Sequence, residues 1–574
     1  MSPNSVDMIK ELNSKLEGLG LCLEKSLSKE LLSGVHSLRL VDKNLKNIAV
    51  QVQGGSEQEA ELKALYQLVV LLGSHGFMKD LYLGEDIAQE EAVFFPDEKW
   101  FVFEAEDDEM PEGILNEELW EYYDMDEELE PLEIMDTQSG AIERGICTLS
   151  YLQYGSETLA YFPLNLIQTI HADSGLGSGM TALESRTKAL SDILQRYLQK
   201  KIVSEAIALP LIPEDEIKSF KKVDEARQFL IEKGFQLRLC DASLGGIYPL
   251  VCVYLLNTKN AKIKSSFAMH FDMQVALEEA IQKLFKGVES LADLDGDKPA
   301  SFNLAEVRDP NNLQAHLLEQ EALIGYASLK EPSAYDFVAW GKDWDKENYF
   351  SGMCELVNEM EAEIYIRDTK LFDVYISHII VPGVSDLYPL DDLQWKNKNE
   401  GISFREAILN LKHLEEFDYR ELLEKLADTN IENEDLVSEF LGVLADEGSA
   451  FETLSVVELK AMVYLALSDS ESAWRCIRTL LSFESLSATH RLHYQCLDAI
   501  LDIKLDKDKP FKAYVNALIF IYGEDLLETC VNIINNEECF YGLGMSSLKL
   551  EGFKTHTKML KVYSNLQEAL KTSN

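Results

Sequence analysis

The distribution of proline divides this sequence into two parts with different folding constraints. Of the 14 prolines, all but Pro510 lie within the first 389 residues. Proline interrupts the interior of a helix, so a long stretch with one proline can form a nearly unbroken series of helices. The same stretch is rich in Leu, Glu, Lys and Ala, with apolar residues at helical spacing. The sequence therefore predicts an all-α domain over residues 405–574.

Two segments of this helical domain have the length of a helix pair. Residues 459–481 and 492–521 repeat at a spacing near the roughly 34 residues of a tetratricopeptide unit. Two or three irregular repeats also fit a plain helical bundle. We expect a tetratricopeptide-like domain, with the bundle as the alternative.

Residues 1–400 mix short strands with helices. Residues 38–41 and 48–52 are predicted strands, and residues 57–72 carry the apolar stripe of a helix. Residues 251–256 and 376–381 are apolar, branched runs that suit buried strands. Glycine and proline interrupt these segments throughout. This pattern is typical of an α+β domain.

The charge of the chain limits the functions that it can have. The 574 residues include 53 Lys and Arg and 100 Asp and Glu, which gives a formal net charge of −47. No global positive field is available to bind a phosphate backbone, so direct nucleic-acid recognition is not expected as the main activity. The charge fits a solvated acidic surface, and it also suits a basic partner such as a ribosomal protein.

The sequence also favours a cytoplasmic location. Residues 1–20 mix charged residues with single leucines and contain no apolar signal core. The longest apolar runs, residues 248–256 and 514–522, are far shorter than the roughly 18 residues of a membrane span. The nine cysteines form no Cys-x-x-Cys pair, which is typical of reduced thiols. We expect no association with a membrane.

Residues 104–133 are the most biased part of the sequence. They contain fifteen Asp or Glu and no Lys or Arg, with apolar and aromatic residues between them. One interpretation is an acidic, aromatic docking surface for a basic partner. The other, which charge runs usually favour, is a solvated loop and helix whose aromatic side packs against the protein.

Residues 173–181, Asp-Ser-Gly-Leu-Gly-Ser-Gly-Met-Thr, are the clearest candidate for ligand binding. Thr181 can cap a helix that begins near Ala182, with Glu184 at the capping-box position. Backbone N–H groups and the positive end of a helix dipole can hold phosphate at such a place. Neither common phosphate-loop pattern is matched, so the pattern alone favours a structural turn. The residues expected at a phosphate are Gly175, Gly177, Ser178 and Gly179.

The helix after these glycines carries polar residues along one stripe. Glu184 and Asp192 are eight residues apart, with Lys188 between them, so they share a face. Two carboxylates beside a glycine-rich segment can hold Mg²⁺ that bridges to phosphate. By spacing alone, an amphipathic helix with its polar face in water is favoured.

Several blocks of residues, taken together, resemble the YcaO family. Their order and spacing are similar to stand-alone bacterial members with a tetratricopeptide-like C-terminal extension, from near residue 10 to the end of the chain. The blocks are Pro-Asp-Glu-Lys-Trp at 96–100, Asp-Thr-Gln-Ser-Gly at 136–140 with Arg-Gly-Ile-Cys at 144–147, Tyr-Phe-Pro-Leu-Asn at 161–165, the glycine segment and helix at 175–197, Asp-Ala-Ser-Leu-Gly-Gly at 241–246 with Tyr-Pro at 248–249, and Ile-Val-Pro-Gly-Val-Ser-Asp at 380–386 with Tyr-Pro at 388–389.

This resemblance implies a fold, cofactors, a reaction class and partners. YcaO proteins bind Mg²⁺ and ATP between helices and sheet, and they use ATP to activate a backbone amide of a peptide. Phosphorylation turns the amide oxygen into a good leaving group, and Mg²⁺ stabilises the transferring phosphoryl group. Members with the helical extension resemble an accessory factor for methylthiolation of a small-subunit ribosomal protein. The implied partners are that basic protein, its methylthiotransferase, and a second copy of the chain in a homodimer.

The first helix departs from the family pattern. Two glutamates that the resemblance assigns to the metals correspond to Gln67 and Val70. The Gly-Lys-Gly of the family's nucleotide loop corresponds to Val-Gln-Gly at residues 52–54, so its lysine is missing. A register shift of one helical turn would instead bring Glu59 or Glu61 to the metals.

The later helices keep part of the family pattern. Of the three glutamates on the second helix, the last corresponds to Gln195. On the later helix the Glu, Gln and Arg usual in the family correspond to Lys283, Lys286 and Val288. The resemblance places these residues at the metals: Glu184, Asp192 and Glu278. It places these at the nucleotide: Gly175, Gly177, Ser178, Gly179, Arg196, Lys283 and Lys286.

These departures predict a degenerate nucleotide site. Each lost charge-assisted contact costs about 1.5–3 kcal/mol, so several together exceed about 5 kcal/mol, or roughly a thousandfold in affinity. The leading interpretation is a non-catalytic or weakly active adaptor, in which Lys283 and Lys286 act as internal cations. The alternatives are an active Mg-ATP-dependent amide-activating enzyme and an anion-responsive regulator.

Overall fold

Twelve strands form three antiparallel sheets in the structure, a computed structural model that describes residues 4–27, 32, 34–103, 109–126, 128–288, 291, 294, 299–318, 322–340, 344–391, 393 and 401–573. The strands are β1 (Leu23–Leu27), β2 (His36–Asp42), β3 (Ala49–Gly54), β4 (Lys99–Phe101), β5 (Ile146–Gln153), β6 (Leu159–Pro163), β7 (Leu176–Gly179), β8 (Phe235–Asp241), β9 (Leu250–Asn257), β10 (Ile263–Met269), β11 (Tyr365–Leu371) and β12 (Val374–Ile380).

Helices accompany the strands in the first part of the chain and stand alone after residue 400. The helices of the first part are α1 (Asn4–Gly18), α2 (Glu57–Gly73), α3 (Gly84–Ala88), α4 (Glu117–Tyr123), α5 (Leu164–Leu166), α6 (Ala182–Ser204), α7 (Glu214–Ser219), α8 (Lys221–Glu232), α9 (Met273–Lys283), α10 (Leu304–Val307), α11 (Pro310–Leu318) and α12 (Tyr349–Glu359). Those of the second part are α13 (Ile402–Leu409), α14 (Glu416–Asp428), α15 (Val437–Leu441), α16 (Val456–Ala466), α17 (Ser470–Leu481), α18 (Ala488–Leu505), α19 (Phe511–Tyr522), α20 (Glu524–Ile534) and α21 (Lys554–Ser573). The predicted α+β domain followed by an all-α region is confirmed.

The sheets are small and are joined through helices. Two have three strands, in the orders β1-β2-β3 and β10-β9-β8. The third has the order β4-β5-β11-β12-β7, and β6 also pairs with β5. The strands predicted at residues 38–41, 48–52, 251–256 and 376–381 correspond to β2, β3, β9 and β12. Helix α2 packs against β2 and β3 and also against β7, β11 and β12, so it connects two sheets.

The second part of the chain contains the expected helix pairs. Residues 459–481 fall on α16 and α17, and residues 492–521 fall on α18 and α19, with α18 also packing against α20. One core joins these helices, with Ile477 and Leu501 fully buried in it. The pairs fit the tetratricopeptide type of packing. Among the described residues, none of the helices combines the length and apolar character that crossing a bilayer requires.

The last helix leaves this helical core and packs into the first part of the chain. Leu566 and Tyr563 of α21 are fully buried in the same core as α1, α2, β2 and β3. The Tyr563 hydroxyl donates to Val93 O (2.6 Å), and Gln567 Nε2 donates to Phe94 O (2.7 Å). The division of the chain into residues 1–400 and 405–574 stays a prediction, and α21 crosses it.

Substitution of Leu566 tests this connection. Leu566→Ala opens a cavity in the shared core, and such cavities cost about 2–5 kcal/mol. We expect faster amide hydrogen exchange in β2 and β3, although the substituted residue is more than 500 positions away. Phe520→Ala is the control, because that side chain is 90% exposed. Faster exchange in the Leu566→Ala variant that is confined to α21 would contradict a shared core.

Four histidines are buried among the described residues of the first part of the chain, His75, His171, His316 and His378, and burial lowers the pKa of each. Burial is the largest cause that lowers the pKa of His75, His171 and His378 to about 3. His378 accepts a hydrogen bond from the Tyr151 hydroxyl at Nδ1 (2.8 Å), and its Nε2 donates to Ser174 O (3.1 Å). A second proton would remove the acceptor at Nδ1. The folded protein therefore holds His378 as the neutral Nε2–H tautomer.

These histidines predict a loss of stability in acid. Their folded-state pKa lies below the ordinary value near 6.5, so the unfolded chain binds protons that the folded chain does not. The contribution of each histidine to the free energy of unfolding is complete above about pH 6.5. It decreases by about 1.4 kcal/mol per pH unit as the pH falls toward 3. Urea titrations at pH 5 and 7 measure how much the free energy of unfolding changes with pH. In His378→Gln this change should be smaller by the contribution of one histidine. The exposed His413→Gln variant is the control. An unchanged pH dependence in His378→Gln would contradict the prediction.

Candidate functional site

A cavity of about 830 Å³ lies where α2 and α6 meet strands β5, β7, β11 and β12. Its volume is in the range of small-molecule binding sites. Five basic side chains line it: Lys63, Lys79, Lys188, Arg196 and Arg367. Three acidic side chains line it: Asp173, Asp192 and Glu279.

The glycine-rich segment is a strand rather than the loop expected from the sequence. Residues 176–179 form β7, which pairs with β12 so that Gly177 lies opposite Ser377. A Cβ atom on Gly177 would lie 2.2 Å from Ser185 O and 2.7 Å from Ala189 N. The glycine therefore allows α6 to lie directly on the strand. Gly177 and Ser178 line the cavity, whereas Gly175 and Gly179 do not.

Helix α6 begins as predicted, and its first carboxylate lies outside the cavity lining. Thr181 Oγ1 accepts from the backbone N–H of Glu184 (3.2 Å). The Glu184 carboxylate accepts from Met180 N (3.1 Å) and from Lys188 Nζ (3.0 Å). Burial raises the pKa of Glu184, but the Lys188 ammonium and the Met180 N–H outweigh it, and the pKa is lowered. Glu184 thus already has a cationic partner.

Arg196 and Asp192 form an ion pair at the cavity. Arg196 Nε donates to Asp192 Oδ2 (2.9 Å), and Arg196 Nη2 lies 3.5 Å from Asp173 Oδ2. Burial lowers the pKa of Arg196, but the two carboxylates outweigh it, and the pKa is raised. The Arg196 Nη1 atom is buried, and no acceptor for it exists within the described residues. The Asp192 carboxylate also accepts from Gly175 N (3.3 Å).

On helix α9, the glutamate that lines the cavity is not the one expected from the sequence. Glu278 accepts from Lys222 Nζ (3.2 Å) and from Gln274 Nε2 (2.8 Å), and it does not line the cavity. The next residue, Glu279, lines it. One position on a helix is a rotation of about 100°, so a one-residue difference in alignment exchanges the two faces. The structure therefore does not bring Glu278 to the other expected site residues.

The two lysines expected near the nucleotide have different surroundings. Lys286 follows α9, is exposed and does not line the cavity. Lys283 is partly buried and does not line the cavity either, and its Nζ donates to Gln195 Oε1 on α6 (2.8 Å) and to Phe267 O on β10 (3.1 Å). Burial lowers the pKa of Lys283, and Glu279 and Asp192 oppose this effect. Lys283 is therefore electrostatically coupled to two of the three carboxylates of the cavity.

Helix α2 supplies no carboxylate to the cavity. Gln67 and Val70 both line it, as the resemblance expects for these positions. Glu59, which a register shift would bring to the metals, accepts from Gly55 N (3.2 Å) and pairs with Lys63 (2.8 Å). Glu61 pairs with Lys25 (2.8 Å). Neither glutamate lines the cavity, so the alternative register gains no support.

Sequence reasoning missed several side chains that line the cavity. Lys63 lies four residues before Gln67, so helical spacing alone places it on the same face. Arg367 on β11 makes a bidentate pair with Asp97 (both 2.7 Å), and no local pattern marks it. The backbone gives a further signal, because Ala172 has φ of 49° directly after the π-helical turn Ile167–His171. Such strained positions cluster at functional sites.

The aromatic residues of the acidic segment pack into the protein. Residues 104–108 and 127 of this segment lie outside the described residues. On α4, Leu119 and Tyr123 are buried, whereas Glu117 and Glu121 are exposed. Tyr122 donates to Asp386, and both line a second cavity of about 730 Å³ that shares Arg196 with the first. The described part of the segment is thus a solvated acidic face over packed aromatic residues.

The side chains present do not fit a Mg²⁺ ion held by the protein. No group of three or more His, Cys, Asp or Glu side chains is arranged for a metal ion in the described ranges. Mg²⁺ requires oxygen ligands in a near-octahedral arrangement. Val70 offers no ligand at all, and Glu184 and Asp192 are already paired with basic side chains. The arrangement can instead attract an anion.

Comparison with known proteins identifies the family. The family model described as YcaO cyclodehydratase, ATP- and Mg²⁺-binding, matches residues 54–385, and the YcaO cyclodehydratase C-terminal domain matches residues 401–572. Among solved structures, YcaO from Methanopyrus kandleri bound with AMPPCP and Mg²⁺ is 13% identical, with a TM-score of 0.40. That match covers 69% of this chain and 93% of the other.

Two curated proteins match over nearly their full length. An uncharacterized protein of Haemophilus influenzae is 35% identical over 570 residues, which cover 98% of this chain and 97% of the other. The ribosomal protein S12 methylthiotransferase accessory factor YcaO of Escherichia coli is 34% identical over 567 residues, which cover 98% and 96%. From these matches, the chain belongs to the YcaO family.

Proposed function

We propose that this chain is an accessory protein for the modification of a ribosomal protein, and that it acts by binding rather than by catalysis. The similarity to the Escherichia coli accessory factor for the S12 methylthiotransferase supports the role. The geometry of the cavity supports the absence of catalysis. YcaO chemistry as implied by the family needs metal-bound ATP. Of the carboxylates that the resemblance assigns to the metal, those of α2 are replaced, Glu184 and Asp192 are paired with basic side chains, and Glu278 does not line the cavity.

The observation that carries this proposal is the set of ion pairs around the cavity. Asp192 binds Arg196 at 2.9 Å, and Glu184 binds Lys188 at 3.0 Å. A metal ion would have to displace these basic side chains from its own ligands. Leaving the mostly buried Arg196 without its carboxylate costs free energy, whereas the half-exposed Glu184–Lys188 pair contributes only about 0–1 kcal/mol. The ion pairs thus compete directly with the metal.

The partners fit the charge of the molecule. A chain with a net charge of −47 attracts basic proteins, and it repels nucleic acid. The exposed glutamates of α4 provide one such acidic face. We propose that the partner is a basic ribosomal protein or its methylthiotransferase, that the protein is cytoplasmic, and that it forms a homodimer.

A second candidate function is an active Mg-ATP-dependent amide-activating enzyme. The cavity of about 830 Å³ and the buried, unpartnered Nη1 atom of Arg196 favour it, because both suit a nucleotide with its phosphates. The missing carboxylates of α2 oppose it. The two candidates differ in whether ATP is turned over.

Phosphate release separates these candidates. With millimolar ATP and Mg²⁺, and with the S12 protein added or omitted, we expect no release above the rate in buffer, because the metal is not held. Asp192→Asn removes a retained carboxylate and should give the same background rate. Metal-dependent release by the wild-type protein that is lost in Asp192→Asn would establish the enzyme instead.

Charge reversal on α4 tests the partner. Glu117→Lys with Glu121→Lys should weaken binding of the S12 protein by about tenfold or more, because it removes attraction at the acidic face. Binding should also weaken as salt screens the charges. The control is Glu524→Lys with Glu528→Lys on α20, an exposed pair with the same spacing. Equal losses in both variants, measured by calorimetry, would indicate a non-specific charge effect.

A further inference from the structure

The charge of the main cavity is opposite to that of the molecule. Basic side chains outnumber acidic ones in its lining, five to three, whereas the whole chain has 53 basic and 100 acidic residues. Four of the five basic side chains are paired with a carboxylate: Lys63 with Glu59, Lys188 with Glu184, Arg196 with Asp192 and Arg367 with Asp97. Because Glu59, Glu184 and Asp97 lie outside the lining, the surface of the cavity keeps an excess of positive charge that favours an anionic ligand.

Arg196 supplies the donor that such a ligand needs. Two of its nitrogens are held by Asp192 and Asp173, and these contacts fix the guanidinium plane. Its Nη1 atom is buried beside the cavity and donates to no group in the ranges that the structure describes. A buried donor without an acceptor is costly, and a phosphate oxygen would satisfy it with a charge-assisted hydrogen bond.

Lys283 supplies the charge that a metal ion would otherwise bring. Its ammonium group is held by Gln195 and by Phe267 O, and it is coupled to Asp192 and Glu279. These two carboxylates would repel a phosphate if they had no cation beside them. The Lys283 ammonium group, held in place by its two hydrogen bonds, offsets part of this repulsion without a free metal ion.

The outer lysines can change partners when a ligand enters. The pair of Lys188 with Glu184 is about half exposed, and so is that of Lys63 with Glu59. Exposed pairs of this kind contribute little to stability, so an incoming polyphosphate can take over the ammonium groups at small cost. The cavity thus has a fixed donor at Arg196 and adjustable donors near its opening.

From these contacts we propose that the cavity binds a polyphosphate group without a divalent metal ion, with Lys283 in place of the metal. The inference rests on the proposed function, because an enzyme that used metal-bound ATP would need free carboxylates here. It also names the ligand class of the same cavity, which is a nucleoside polyphosphate or a free polyphosphate. In this state Arg196 contacts the ligand, and Lys283 acts as a positioning residue through Asp192 and Glu279.

Calorimetric titration of the full chain tests the proposal directly. ATP, tripolyphosphate and adenosine are each titrated in EDTA and again in excess Mg²⁺. We expect ATP to bind in EDTA with a Kd within about threefold of its value in Mg²⁺. Binding of ATP that requires Mg²⁺, or that is more than about tenfold weaker in EDTA, would overturn the proposal. Tripolyphosphate binding alone would identify a free polyphosphate site, and adenosine binding alone would also overturn the proposal.

Substitution of the two lysines gives a matched pair of variants. Lys283→Gln removes the internal cation but keeps a polar side chain for Gln195. It should weaken ATP binding in EDTA by about tenfold or more, with partial recovery in Mg²⁺ because Mg²⁺ bound to the ATP then offsets the negative charge of Asp192 and Glu279. Lys286→Gln is the control, since Lys286 is exposed, whereas the Lys283 ammonium group is hydrogen-bonded to α6 and β10. Lys283→Gln that binds like the wild-type protein in EDTA would contradict the role of Lys283.

The outcomes for ligand binding and for catalysis remain distinguishable. Phosphate release in Mg²⁺ would overturn the proposed function. ATP binding that requires Mg²⁺ but leads to no phosphate release would overturn only this inference. The melting temperature of each variant without ligand shows whether it folds. If Lys283→Gln does not fold, the comparison of EDTA with Mg²⁺ in the wild-type protein decides the proposal alone.

Discussion

The close contact of helix α6 with strand β7 determines where the polar groups of the cavity lie. Gly177 makes this contact possible, because any larger residue would collide with the backbone of α6. Ser185 then joins the helix to the sheet: its hydroxyl donates to Gly177 O (3.0 Å) and accepts from Ser377 N (2.8 Å). With the helix held at two points, Asp192 and Arg196 project into the cavity from the next turns. A shift of α6 by the thickness of a methyl group would change every distance in the site.

The ion pairs of the cavity show how a fold can balance its carboxylates with its own basic side chains. Carboxylates that face a cavity repel one another unless a cation compensates them. In this chain the cations are Arg196, Lys188 and Lys283, each fixed by hydrogen bonds to its neighbours. Permanent side-chain cations keep the folded state stable in the absence of metal. The same arrangement removes free metal ligands, so stability of the fold and metal-dependent catalysis oppose each other at this site.

The last helix makes the stability of the cavity depend on the whole chain. Helix α21 contributes Leu566 and Tyr563 to the core on which α2 rests, and α2 lines the cavity with Gln67 and Val70. A change in the packing of α21 therefore reaches α2 through this shared core, because packed interiors transmit strain.

Local sequence patterns were enough to predict much of the secondary structure, because strands, helices and caps depend mainly on residues that are neighbours in sequence. Apolar periodicity located β2, β3, β9 and β12, the cap at Thr181 located the start of α6, and ordered motifs indicated the family. Only the tertiary structure decided which side chains meet. Glu279 rather than Glu278 lines the cavity, since one residue rotates a helical position by about 100°. Likewise, Lys283 reaches Gln195 and α21 returns to the first core through contacts between residues far apart in the chain, which no local pattern encodes.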